Sequence, residues 1–196
     1  MRTSGLAEIE HAPESRAGQE CCHCSRSCGC GTAPILLLAL GNPLMADDGA
    51  GQEILARIAS QAPEWGAQVE FVDGGTQGLS LLGSFEERKA VVFLDAIRLG
   101  DKAGAVHILR GDELLKMGGR ATTAHEGSAP DILRALELLG EAPGEIALVG
   151  IEPEKIRTEI GLSEAVKDSI GLAASFSRMT VNRLLAGSAG LLSAHQ

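Results

Sequence analysis

The sequence predicts an α/β fold: a three-layer α/β/α arrangement in which helices cover both faces of a mostly parallel sheet, with one strand antiparallel. Three observations predict it. Short apolar runs alternate along the chain with segments of helical period, the pattern of a parallel sheet buried on both faces. Each of the first three runs ends in a Gly- or Asp-bearing loop. The link from the third run to the fourth is too short for a helical crossover, so the fourth strand is expected to run antiparallel, at an edge.

The elements follow in order. Ile35-Leu-Leu-Leu-Ala-Leu40 is a continuous apolar run ended by Gly41-Asn42-Pro43, as a strand buried on both faces reads. After Asp47-Asp48-Gly49, residues 50–61 place Ile54, Leu55, Ile58 and Ala59 at helical spacing. A second strand spans Val69 to Val72 and stops at Asp73-Gly74-Gly75. A short helix over Leu79 to Gly83 leads to a third strand, Ala90 to Leu94, ending at Asp95. A fourth strand covers about Gly104 to Leu109. Ser128 and Asp131 open a helix with an apolar face of Ile132, Leu133, Leu136 and Leu139, and Gly140 stops it. The fifth strand runs Glu145 to Gly150. The last helix starts near Ser163, a suitable N-cap, and aligns Val166, Ile170, Ala173, Val181 and Leu184 on one side.

Composition narrows the function. The chain has 196 residues, 44% apolar and 22% charged, ordinary for a soluble globular protein. Aromatic residues make up 3%, with no tyrosine, so Leu, Ile, Val and Ala must build the core. A net charge of −9 provides no basic footprint for nucleic acid and no polybasic segment for an anionic membrane. The first twenty residues are polar, without the apolar stretch of a secretory signal, and no run approaches the roughly 18 apolar residues of a membrane span. A cytoplasmic protein with reduced cysteines is expected.

Residues 1–32 differ from the rest: Gly, Ser, Glu and Cys dominate and neither structural period is sustained. They are expected to form a flexible extension before a folded domain over residues 33–196. The extension holds all five cysteines, Cys21, Cys22, Cys24, Cys28 and Cys30, with His23 among them. This density suits a soft metal, although structural zinc sites more often use two separated cysteine pairs. Reduced thiols without a ligand are the competing reading.

In open α/β sheets, sites form beyond the carboxyl ends of the strands. Acids recur there: Asp47 and Asp48 after the first strand, Asp73 after the second and Asp95 at the end of the third. The loop before the helix at 128 adds Thr122, His125 and Glu126. Nitrogen and oxygen ligands of these kinds suit a borderline divalent metal such as nickel or zinc without demanding one. Each residue also has a plainer reading: Asp47 or Asp48 as a helix cap, Asp73 as a turn former, Asp95 as an acceptor of backbone N–H groups, His125 and Glu126 as loop residues, and His107 as a strand residue. Gly41-Asn42-Pro43 lacks the spacing of either phosphate-binding glycine motif, which argues against a nucleotide. A serine-hydrolase elbow and a pepsin-type Asp-Thr/Ser-Gly dyad are likewise missing.

Gly41-Asn-Pro-Leu-Met-Ala-Asp-Asp-Gly49, Val72-Asp-Gly-Gly-Thr-Gln-Gly78, Phe93-Leu-Asp-Ala96 and Gly150-Ile-Glu-Pro153 occur in this order. Together with the His125 loop, this series resembles the signatures of the hydrogenase maturation proteases, over roughly residues 34–187. The resemblance implies a twisted five-stranded sheet between helices and a nickel site of Asp48, Asp73 and His125. It further implies an endopeptidase that removes the C-terminal tail of a nickel-loaded [NiFe] hydrogenase large-subunit precursor, the nickel arriving with the substrate. Asp48 or Asp73 would serve either as the carboxylate that activates water or only in nickel recognition. The cysteine segment departs from the pattern. It leaves a second class of function, a nickel-binding or delivery protein without proteolysis. A related protease of the spore-germination type, independent of nickel, would share the fold.

Overall fold

The computed structural model describes residues 32–61, 64–116 and 127–192. The cysteine segment and the loop carrying Thr122, His125 and Glu126 lie outside the described residues. Thr32–Gln196 forms one compact unit. Its strands are β1 (Ile35–Leu40), β2 (Val69–Gly75), β3 (Ala90–Ala96), β4 (Val106–Arg110) and β5 (Glu145–Ile151). Its α-helices are α1 (Ala50–Ser60), α2 (Gly111–Lys116), α3 (Ala129–Leu139) and α4 (Glu164–Leu192).

The five strands form one sheet in the order β2-β1-β3-β5-β4. β1 pairs in parallel with β2 and β3, and β3 with β5, while β4 runs antiparallel to β5 at the edge, as the short link predicted. Period-two alternation divides the core. Ile35, Leu37 and Ala39 of β1 join Val92 and Leu94 of β3 on the face covered by α1 and α4. Leu36, Leu38 and Leu40 join Val91 and Phe93 on the other face, with Leu133 and Leu136 of α3 and Leu114 of α2. β1 and β3 are buried along their whole length because helices cover both faces.

Local chemistry explains the boundaries. Gly140 ends α3 at φ +72°, its N–H returned to the carbonyls of the last turn. Ser163 Oγ accepts Val166 N–H at 3.4 Å and opens α4. The segment expected as a short helix at 79–83 is a 3-10 helix over Gly78–Phe85. α2 was not anticipated, because one buried residue, Leu114, leaves too little periodicity to read. Among the described residues no helix is long and apolar enough to cross a membrane.

Candidate active site

Strand order reverses beside β1: the chain passes from β1 to β2 on one side, then back across to β3 on the other. Such a switch point leaves a crevice at the carboxyl ends of the strands. The loop after β1, the end of β2 and the end of β3 all reach it, bringing Asp47, Asp48, Asp73 and Asp95 to one edge of the sheet.

The two adjacent acids after β1 have different tasks. Neither caps α1 through its side chain. Asp47 is fully buried and accepts three backbone N–H groups: Glu154 and Lys155 on Oδ2, both at 2.9 Å, and Ser163 on Oδ1 at 2.6 Å. It ties the loop after β5 to the loop after β1. Backbone bonds reinforce the tie, from Ala46 N–H to Glu159 O at 2.7 Å and from Glu159 N–H to Leu44 O at 3.1 Å. Asp48, also buried, accepts Asn42 N–H on Oδ2 at 2.8 Å and so faces the turn that leaves β1.

That turn depends on Gly41. Its φ is +121°, and a Cβ there would lie 1.9 Å from Asp48 O. Only glycine permits this approach. Gly41 N–H also donates to Gly75 O at 3.0 Å, closing the gap between the ends of β1 and β2.

Asp73 is aimed by an irregularity in β2. Ala39 pairs with Asp73 but Leu40 pairs with Gly75, so Gly74 is an extra residue that bulges the strand. Asp73 is consequently exposed at the sheet edge. Its Oδ1 accepts Gly75 N–H at 3.1 Å, the turn-forming bond expected of an aspartate before Gly-Gly, and also Gln52 Nε2 at 3.3 Å. Gln52 Nε2 donates in addition to Gly41 O at 2.9 Å. Gln52 thus connects the Asp48 turn to Asp73. Sequence reasoning missed it, although it lies four residues after Asp48, the spacing of neighbours on one helical face.

Two further acids hold backbone N–H groups. Asp95 is buried and accepts Ala96 N–H on Oδ1 at 2.8 Å. Glu152, within the Gly150-Ile-Glu-Pro motif, accepts Leu99 N–H at 2.7 Å and Gly100 N–H at 3.3 Å, which anchors the link between β3 and β4. His107 sits in β4 with Nε2 3.9 Å from Asp101 Oδ2, consistent with its reading as a strand residue.

Among the described residues no group of three or more His, Cys, Asp and Glu could hold a metal ion. The chain leaving the 117–126 loop is nevertheless fixed: a Cβ on Gly127, at φ +82°, would lie 2.3 Å from Gly78 Cα. Gly127 thus returns the chain to the turn that follows Asp73.

The fold and site define an α/β protein with carboxylates gathered at the switch point of its mostly parallel sheet. The particular class comes from comparison. Residues 53–176 match the family model described as HycI: Hydrogenase maturation protease. The Hydrogenase 2 maturation protease of Escherichia coli (strain K12) is 34% identical over 139 residues, covering 69% of this chain and 83% of that protein. The hydrogenase expression/formation protein HupD of Rhodobacter capsulatus is 33% identical, covering 71% and 67% respectively. The solved hydrogenase maturating endopeptidase HybD from E. coli superposes with a TM-score of 0.67 at 31% identity, over 76% of this chain and 92% of that one. The [NiFe] hydrogenase maturation protease HybD from Thermococcus kodakarensis gives 0.62 at 29%, over 74% and 97%. The chain belongs to the hydrogenase maturation protease family and is a maturation endopeptidase.

Proposed function

We propose that this protease removes the C-terminal tail of a [NiFe] hydrogenase large-subunit precursor in the cytoplasm, and that Asp48, Asp73 and His125 read the nickel the precursor carries. The observation that carries the site reading is the bridge through Gly41. Its backbone lies against Asp48 on one side and takes Gln52, which also holds Asp73, on the other. Gly127, two residues after His125 in the sequence, packs on Gly78 just beyond Asp73.

The donor set supports nickel. Two carboxylates and an imidazole provide oxygen and nitrogen ligands of borderline character, and three protein ligands leave positions for the thiolates that come with the precursor. Asp73 Oδ1 is taken by two N–H groups, while Oδ2 accepts none among the described residues and is left available as a ligand or base. Hydrolysis needs a water deprotonated as it attacks the scissile carbonyl, with the proton passed on to the leaving amine. Asp48 or Asp73 serves as that base only if it is not fully bound to the metal, and otherwise both act in nickel recognition alone. Fixing nickel and the tail in one geometry supplies the remainder through orientation.

Asp73→Asn tests the division of labour. Lost cleavage with retained binding of the nickel-loaded precursor assigns Asp73 a chemical role. Loss of both assigns it to nickel recognition. Wild-type cleavage rejects the site.

A further inference from the structure

We propose that Gln52 is a positioning residue of the nickel site, which fixes the Asp73 carboxylate so that Oδ2 alone is presented to the metal. The proposal rests on the reading of Asp73 as a nickel ligand and adds to it a residue on a different element.

Three observations carry it. Gln52 sits in the first turn of α1, a rigid element, and its side chain spans from β1 to β2. Both atoms that its amide nitrogen meets, Gly41 O at 2.9 Å and Asp73 Oδ1 at 3.3 Å, are acceptors only. The nitrogen must therefore face them, which settles the orientation of the amide. Its other atom, Oε1, is buried and takes no hydrogen bond among the described residues. A buried amide oxygen left in this state is unfavourable, because it has lost its hydrogen bonds to water without replacement. A glutamine placed only to fill space would be replaced at no such cost by an apolar side chain of similar length. The polar amide is explained if its nitrogen is needed where it stands.

The consequence for Asp73 is directional. Exposed carboxylates at strand ends rotate about χ2. Two N–H donors on Oδ1, one from the bulged backbone and one from Gln52, hold the carboxylate plane and polarise Oδ1 away from metal binding. Oδ2 is left to bind as a single oxygen. Hydrogen bonds to ligating carboxylates are a general means of orienting a metal site, and their loss weakens metal binding by about 10- to 100-fold.

The test is a double-mutant cycle with Ni²⁺ alone as the probe. The full chain and its Gln52→Met, Asp73→Asn and doubly substituted forms are titrated with Ni²⁺. Binding is read from broadening of the backbone amide NMR signals of residues 41–52 and 73–75, which separates this site from metal taken up by the cysteines. Expected is about tenfold or greater weakening by Gln52→Met in the presence of Asp73, and no further weakening once Asp73 is asparagine. A purely structural role costs the same in both backgrounds, and that result overturns the proposal. If Asp73→Asn weakens binding and Gln52→Met does not, Gln52 alone is rejected. If Asp73→Asn has no effect, or these amides do not respond to Ni²⁺ in the unaltered protein, the nickel-ligand reading and this inference both fall. Gln52→Leu runs through the same cycle should the Met variant not fold.

Discussion

Asp47 Oδ1 accepts the backbone N–H of Ser163 at 2.6 Å, joining positions 116 apart in the chain. With Glu154 and Lys155 on its other oxygen, this carboxylate is the anchor of the loop between β5 and α4. Its neighbour Asp48 instead faces the Asn42 turn. The two acids of the Asp-Asp pair therefore hold different loops, and the proposed site reading predicts that they separate under substitution.

Asp47→Ala leaves three N–H groups without their charged acceptor. Hydrogen bonds to charged groups contribute about 1.5–3 kcal/mol each in simple contexts and are not additive, so a loss of about 2–4 kcal/mol is expected. Urea denaturation measures it as a lower midpoint. Activity per folded molecule should change less than stability does.

Asp48→Asn keeps an oxygen for Asn42 N–H and removes the charge. Stability should shift by less than about 1 kcal/mol, the scale of one retained hydrogen bond. Precursor cleavage should fall by about 100-fold or more, as for loss of a positioned acid–base or metal-polarising group. Thermal unfolding and a cleavage assay on the same preparation check both halves.

Gly41→Ala puts a Cβ 1.9 Å from Asp48 O at a φ of +121°. The turn must move, at a cost of about 1–3 kcal/mol in backbone strain alone. Because Gly41 O also holds Gln52, cleavage should drop further than stability explains. Alanine at Gly100, also at positive φ but with open space around its Cβ position, is the control for backbone strain without the clash.

Removing residues 1–31, which carry all five cysteines, should leave cleavage of a nickel-loaded precursor unchanged, because the compact unit begins at Thr32. Time courses with the full and shortened chains decide it. Loss of cleavage would give the cysteines a part in proteolysis.

Much of this fold was legible in advance, for identifiable reasons. The run Ile35–Leu40 is six apolar residues long and stopped by Gly41-Asn42-Pro43, the length and punctuation of a strand buried on both faces, and it is buried at every position. The antiparallel edge strand followed from one short link. Element ends were less legible: β2 continues through Asp73-Gly74-Gly75, where two glycines signalled a stop, because the bulge at Gly74 keeps pairing with β1. The site was partly legible. Asp48 follows β1 in a 3-10 turn and Asp73 lies near the end of β2; position left a helix cap and a turn former open for them, and the family resemblance singled them out. The division between Asp47 and Asp48 was not legible, since it depends on amides more than 100 residues away. Gln52 was hidden because glutamine on a helix ordinarily reads as a solvated residue, and only the approach of the Gly41 turn and of β2 gives it partners.

The central claim is a nickel-gated cut. The most direct measurement is the mass of a hydrogenase large-subunit precursor before and after incubation with this protein, nickel-loaded and nickel-free in parallel. The account predicts loss of a C-terminal peptide from the loaded form only. Equal cleavage of both forms, or a change in neither across several cognate precursors, would contradict it.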